Sequence, residues 1–153
     1  MSTPEERLAE MGLAVPEVAK PVAAYVPAVR SGDHVFTSGQ LPMRAGELMV
    51  TGKVGGEGTA EEAYACAQQC VLNAIAAVKS EIGDLSRVVR VVKVVAFIAS
   101  TPDFTGQPGV ANGASELLGE VFGDAGIHAR SAVGVPVLPL DAPVEVELLV
   151  EVR

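Results

Sequence analysis

Two charged residues near the carboxyl end stand where their chemistry could be used. Arg130 heads the apolar alternating run Ser131 to Val135, and Glu145 opens the next run, beyond a proline-rich turn. A guanidinium carries five donors, cannot be deprotonated and is costly to bury alone, so at the head of a strand it calls for an anion. Two sources would satisfy it: a carboxylate of the chain itself, Glu145 or another acid, or the carboxylate of a small substrate. The local residues leave both open.

The remaining reactive side chains read more quietly. Cys66 and Cys70 lie four apart, on one face of an expected helix rich in Ala and Val, which is core packing in a reducing compartment. The histidines, His34 and His128, fall in distant segments without ligand spacing, so no metal is expected. Gly52 to Gly58 holds four glycines, but no Gly-Lys-Ser/Thr follows, and the stretch reads as a connector rather than a phosphate cradle. Lys93 interrupts an apolar strand; its stem is expected to pack while its head reaches water or a carboxylate. Asn73 is read as the polar margin of a helix in preference to a buried hydrogen-bonder.

Composition narrows the classes. The chain has 153 residues, 49% of them apolar, enough for one domain with a core of its own. A net charge of -8, no Trp and eleven scattered Lys and Arg argue against a nucleic-acid surface. Glu5, Glu6 and Glu10 stand where an export signal would be basic and then apolar. The longest apolar run, Val88 to Ala99, is broken by Arg90 and Lys93 and is too short to span a bilayer. A cytoplasmic protein without membrane contact is the expectation.

The elements that must position Arg130 and Glu145 follow from capping and periodicity. Thr3-Pro4-Glu5-Glu6 opens a short helix running to about Met11, within an amino-terminal appendage of residues 1–20. The domain proper is then 21–153. Val22 to Arg30 and His34 to Ser38 read as a hairpin about Ser31-Gly32-Asp33, with Glu47 to Thr51 as a short third strand. Thr59-Ala60-Glu61-Glu62 caps a helix to about Ile82, striped by Ala63, Ala67, Cys70, Ala74, Val78 and Ile82. Arg87 to Ser100 is apolar on both sides and so interior to a sheet. Thr101 to Gly109 reads as a loop and Val110 to Phe122 as a second helix. In the last strand Val144, Val146, Leu148 and Val150 alternate with Glu145, Glu147, Leu149 and Glu151, giving a core face and a mostly acidic one. The sum is an α+β layout with a mixed sheet and two helices on one face.

Taken in order, Tyr25, Thr37-Ser38-Gly39-Gln40-Leu41-Pro42, Asn73, Asn112, Ala129-Arg130-Ser131, Leu138-Pro139 and Val144-Glu145-Val146 resemble the Rid proteins. These are also called the YjgF/YER057c/UK114 family and, in places, L-PSP endoribonucleases. The likeness covers about Pro21 to Arg153. It implies a chorismate-mutase-like fold and a homotrimer with its clefts between subunits. It implies that Arg130 holds the carboxylate of a reactive enamine or imine such as 2-aminoacrylate, and that Glu145 positions or protonates. Water then attacks the imine carbon, and ammonia leaves with a 2-keto acid. Tyr25, Ser38, Gly39 and Asn112 would line the pocket, the backbone of Ala132 would help hold the water, and no cofactor would be needed. Other readings are a non-catalytic binder of small carboxylates or 2-keto acids and, further off, a ribonuclease, which would lack both a basic groove and a pair of histidines. The departures from the family pattern are His128, where proline is common, an apparent insertion at Thr105 to Gly109, and the extra amino-terminal helix.

Overall fold

The computed structural model describes residues 2–19 and 24–153. The first helix, α1 (Pro4–Glu10), closes with the expected capping box: Thr3 accepts from the Glu6 amide while Glu6 reaches back to the Thr3 amide. It is docked on the body of the protein, with Leu8 fully buried in the main core. Glu5 accepts from Lys79 at 3.0 Å and from the Leu85 amide at 3.1 Å, which ties the helix to the segment from Lys79 to Leu85.

Strands β1 (Ala28–Ser31) and β2 (His34–Thr37) form the hairpin about Gly32-Asp33, and the positive φ of Gly32 is what a tight two-residue loop demands there. The first strand is shorter than its apolar run. Of the segment expected to be extended from Val22, residues 22 and 23 lie outside the described residues, and 24–27 are not strand. Pro27 has no N–H to give a ladder, and pairing begins just after it. The expected third strand is also different: β4 (Glu47–Leu48) pairs only with β3 (Met43–Arg44), as a separate two-stranded ribbon.

Helix α2 (Ala60–Ile82) repeats the capping box at Thr59 and Glu62 and ends at Gly83. Its stripe is core as read, and both cysteines are free and buried. Burial pushes the Cys66 thiol up to about 11, a value suited to packing rather than reactivity. Strand β5 (Val88–Ala99) is followed by α3 (Gln107–Phe122), which begins three residues earlier than expected, with Pro108 in its first turn, where a missing N–H costs nothing. Last come β6 (Ala129–Val135) and β7 (Val144–Val152).

The main sheet has the order β1-β2-β7-β5-β6, antiparallel except for the β5·β6 pair, whose parallel register requires the crossover that α3 supplies. Strand β5 is therefore interior, as its apolar faces indicated. Helices α2 and α3 lie on one face, over Val91, Val94, Ala96, Ile98 and the even-numbered residues of β7. The helices cross almost in contact: a Cβ on Gly113 would press onto the Tyr64 carbonyl. The other face carries no helix: at one end Leu41, Leu48, Leu138 and Ala142 cluster with Phe97 and Ala99, and the uncovered remainder has Val29, Phe36 and Val133 exposed beside Glu145, Glu147 and Lys93. Lys93 is half-buried there and makes no ion pair among the described residues.

Candidate active site

Register decides where the two charged residues go. Arg130 stands beside Val94, a fully buried residue of the helix-covered face, so its side chain leaves β6 toward α3. Three successive positions of α3, spaced i, i+4, i+7 and hence on one side of the helix, receive it. Nη1 donates to Asn112 Oδ1 at 2.8 Å and to Ser115 Oγ at 3.1 Å, and Nη2 donates to the Pro108 carbonyl at 3.4 Å. All three acceptors are neutral. The ion pairs among the described residues are Lys53–Asp141 and Lys79–Glu5, so the intrachain bridge from Arg130 to Glu145, one of the two options in the sequence, does not form. Three of the five guanidinium protons are used. Nε–H and one of the two Nη2–H have no acceptor among the described residues, which leaves donors on the edge that Nε shares with Nη2. That edge is the one that grips a carboxylate with two parallel bonds.

Glu145 pairs with Phe97 in β5 and projects from the uncovered face. Its carboxyl lies on Gly39: a Cβ there would come within 2.8 Å of Cδ, so only glycine lets the acid occupy this place without shifting it. Half-burial raises the Glu145 carboxyl above the usual range, and the nearby charge of Glu147 adds to the effect. The segment beside it is fixed on several sides. Gln40 exchanges both backbone bonds with Val146, the Ser38 hydroxyl donates to the Val26 carbonyl at 2.6 Å, and Ser38 N–H donates to the Pro27 carbonyl. Asn73 anchors it from α2, donating to the carbonyls of Leu41 and Met43 at 3.0 Å each and accepting from Gln69. At 3% exposure Asn73 is a buried hydrogen-bonder, and its reading as a polar margin is corrected: its amide bridges two backbone carbonyls, that of Leu41 also accepting from the Met43 N–H at 2.8 Å, and so pins the segment to α2.

The seven expected site residues thus fall into two groups. Arg130, Asn112 and Ala132 sit at the helix-covered edge of the sheet, with Ala132 packed against the core. Glu145, Gly39, Ser38 and the half-exposed Tyr25 sit across the sheet, where Tyr25 and Gly39 line a cleft of 660 Å³ that does not reach Arg130. Strand β5 separates β6 from β7, which puts about 10 Å between their axes. Ser115 and the Pro108 carbonyl were not anticipated. Their spacing from Asn112 was legible, but starting the helix at Val110 left Pro108 in a loop and hid it. Among the described residues no group of three His, Cys, Asp or Glu could hold a metal ion.

Residues 5–152 match the sequence profile of the family described as "YjgF/chorismate_mutase-like, putative endoribonuclease". The chain belongs to this YjgF family. The matched span begins inside α1, so the amino-terminal helix lies largely within it. Protein TCP17 of Trypanosoma cruzi is 45% identical over 95% of this chain and 92% of its own. The 2-iminobutanoate/2-iminopropanoate deaminase of Dermatophagoides farinae is 34% identical over 92% and 95%. A crystal structure from Shewanella oneidensis, described as a "putative endoribonuclease", is 38% identical, covers 99% of this chain and 100% of its own, and superposes with a TM-score of 0.96. The YjgF likeness fixes the α+β, chorismate-mutase-like fold and includes an imine deaminase among the relatives. No described helix is long and apolar enough to cross a membrane.

Proposed function

We propose that this YjgF protein hydrolyses small imino acids of the 2-iminobutanoate and 2-iminopropanoate type, giving 2-keto acids and ammonia. One observation carries the reading: among the described residues Arg130 is held by three neutral acceptors, meets no carboxylate, and keeps its Nε–H without an acceptor. The deaminase relative supports the choice of substrate. The substrate carboxylate takes the Nε and Nη2 edge, which fixes the imine carbon in place. Water adds to that carbon. The Glu145 carboxyl, raised in pKa by burial, supplies a proton to the nitrogen, and as ammonia leaves the hydroxyl of the adduct gives its proton back to the Glu145 carboxylate and becomes the keto oxygen. No cofactor takes part in this scheme.

Within one chain Arg130 and Glu145 point to opposite sides of the sheet, so the scheme needs two subunits. The half-apolar uncovered face, with Phe36, Val29 and Val133 exposed, is the surface by which copies would associate, in a trimer with one shared cleft per interface. The test is turnover. 2-Aminoacrylate or 2-iminobutanoate generated in situ should decay to the keto acid faster with wild-type protein than in buffer, and Arg130→Ala should remove the acceleration. No acceleration across a panel of imino acids would defeat the enzymatic reading. Retained binding of 2-ketobutyrate in that event would leave a carboxylate-binding protein.

A further inference from the structure

We infer that Ser115 and His128 are positioning residues, which act on a bound carboxylate through Arg130 by fixing the rotation of its guanidinium. The inference rests on Arg130 being the anion site proposed above, and it concerns two residues that never touch the anion. His128 Nδ1 lies 2.6 Å from the Gly126 carbonyl, and Nε2 lies 2.8 Å from Ser115 Oγ. A carbonyl can only accept, so Nδ1 bears the proton, and in the neutral ring Nε2 then offers a lone pair. The Ser115 hydroxyl donates to that lone pair, which turns its oxygen toward the Arg130 Nη1 at 3.1 Å. The chain of bonds runs from backbone to ring to hydroxyl to guanidinium, each member with one donor aimed at one acceptor.

Its anchor is rigid. A Cβ on Gly126 would collide with the Leu118 carbonyl, so the turn before His128 is pressed against α3, the helix that also carries Asn112 and Ser115. With Asn112 taking one Nη1 proton and the oriented Ser115 oxygen the other, the Nη1 end is saturated. The free Nε and Nη2 edge is thereby aimed in one direction. Were the hydroxyl free to rotate, its own proton would face the cation for part of the time and the grip would loosen. Here the helix and the turn together supply what a side chain on β6 would otherwise lack.

The test uses Ser115→Ala, Ser115→Thr, His128→Leu, His128→Gln and the double variant Ser115→Ala/His128→Leu in the full chain. Side-chain 15N–1H spectra of the ligand-free protein, with Arg130→Lys for assignment, report guanidinium rotation directly. Wild type should give resolved, slowly exchanging Nη1 protons, which collapse in Ser115→Ala and His128→Leu. Ser115→Thr should keep them because the hydroxyl survives, and His128→Gln should keep them because its amide oxygen can accept. With an imino acid, KM should rise about tenfold in either disruptive variant while kcat changes little, the worth of one hydrogen bond to a charged group. The double variant should be no worse than Ser115→Ala, since both act through one oxygen. Unaltered Nη1 signals in Ser115→Ala, or KM losses that multiply in the double variant, would overturn the inference. Should His128→Leu fail to fold, the Ser115 pair and His128→Gln decide it. Absence of turnover in wild type would count against the proposed reaction alone, because the ligand-free spectra judge the positioning role separately.

Discussion

The two edges of activity in this chain differ in what surrounds their charge. At the β6 edge a cation is wrapped by neutral acceptors of α3 and has no anion paired with it among the described residues. On the far side of the sheet an acid is half-buried beside Gly39 and Phe97 and has no cation paired with it among the described residues. Each is the natural partner of the other, and the strand order keeps them apart. Had β6 and β7 been neighbours with their charges on one face, the pair would have closed on itself and left no place for a ligand. The insertion of β5 between them is what preserves two unmatched charges, and the proposed cleft joins them only across a subunit boundary.

That contrast can be broken at several points. Arg130→Ala should cost on the order of 10³-fold in kcat/KM toward imino acids with the thermal midpoint nearly unchanged, because positioning is lost while the fold is not. Glu145→Gln should also suppress turnover. Co-refolded mixtures of the two inactive variants should then regain about a quarter of wild-type activity, since random assembly pairs an intact Arg130 with a neighbour's intact Glu145 at about that frequency. Recovery of nothing would mean that each site is built from one chain. Asn73→Ala, which removes its bonds to the Leu41 and Met43 carbonyls and to Gln69, should lower stability by about 1–3 kcal/mol in denaturant titrations and disturb the Glu145 side more than the Arg130 side. The smallest effect is a pH trend. The folded Glu145 carboxyl binds its proton more tightly than the unfolded one, so its cost to stability is full above the raised pKa and vanishes below the unfolded value. Glu145→Gln should therefore unfold at a slightly higher temperature than wild type at neutral pH, and the two melting curves should converge in acid.

Much of this was legible in the residues. The capping boxes at Thr3 and Thr59 fixed two helix starts because reciprocal side-chain bonds are local. The alternation of β7 gave its buried face, since a period of two has only two answers. What escaped depended on distant partners. Nothing near Asn73 in sequence says that a ribbon thirty residues earlier offers it two carbonyls, and nothing near Glu47 says that β4 will pair with β3 and stay out of the main sheet. Whether Arg130 would meet Glu145 was undecided for the same reason: strand order is a property of the whole sheet. Helix α3 was read late because Pro108 and Gly109 look like breakers, although proline in a first turn is compatible with a helix.

The near-touching of α2 and α3 at Gly113 has a bearing on how this protein could change over time. Because Gly113 sits between Asn112 and Ser115, a single added methyl at a spot remote from any ligand would lever the whole acceptor row away from the cation. Drift in the helical layer could in this way retune which guests are welcomed while every residue lining the cleft stays the same.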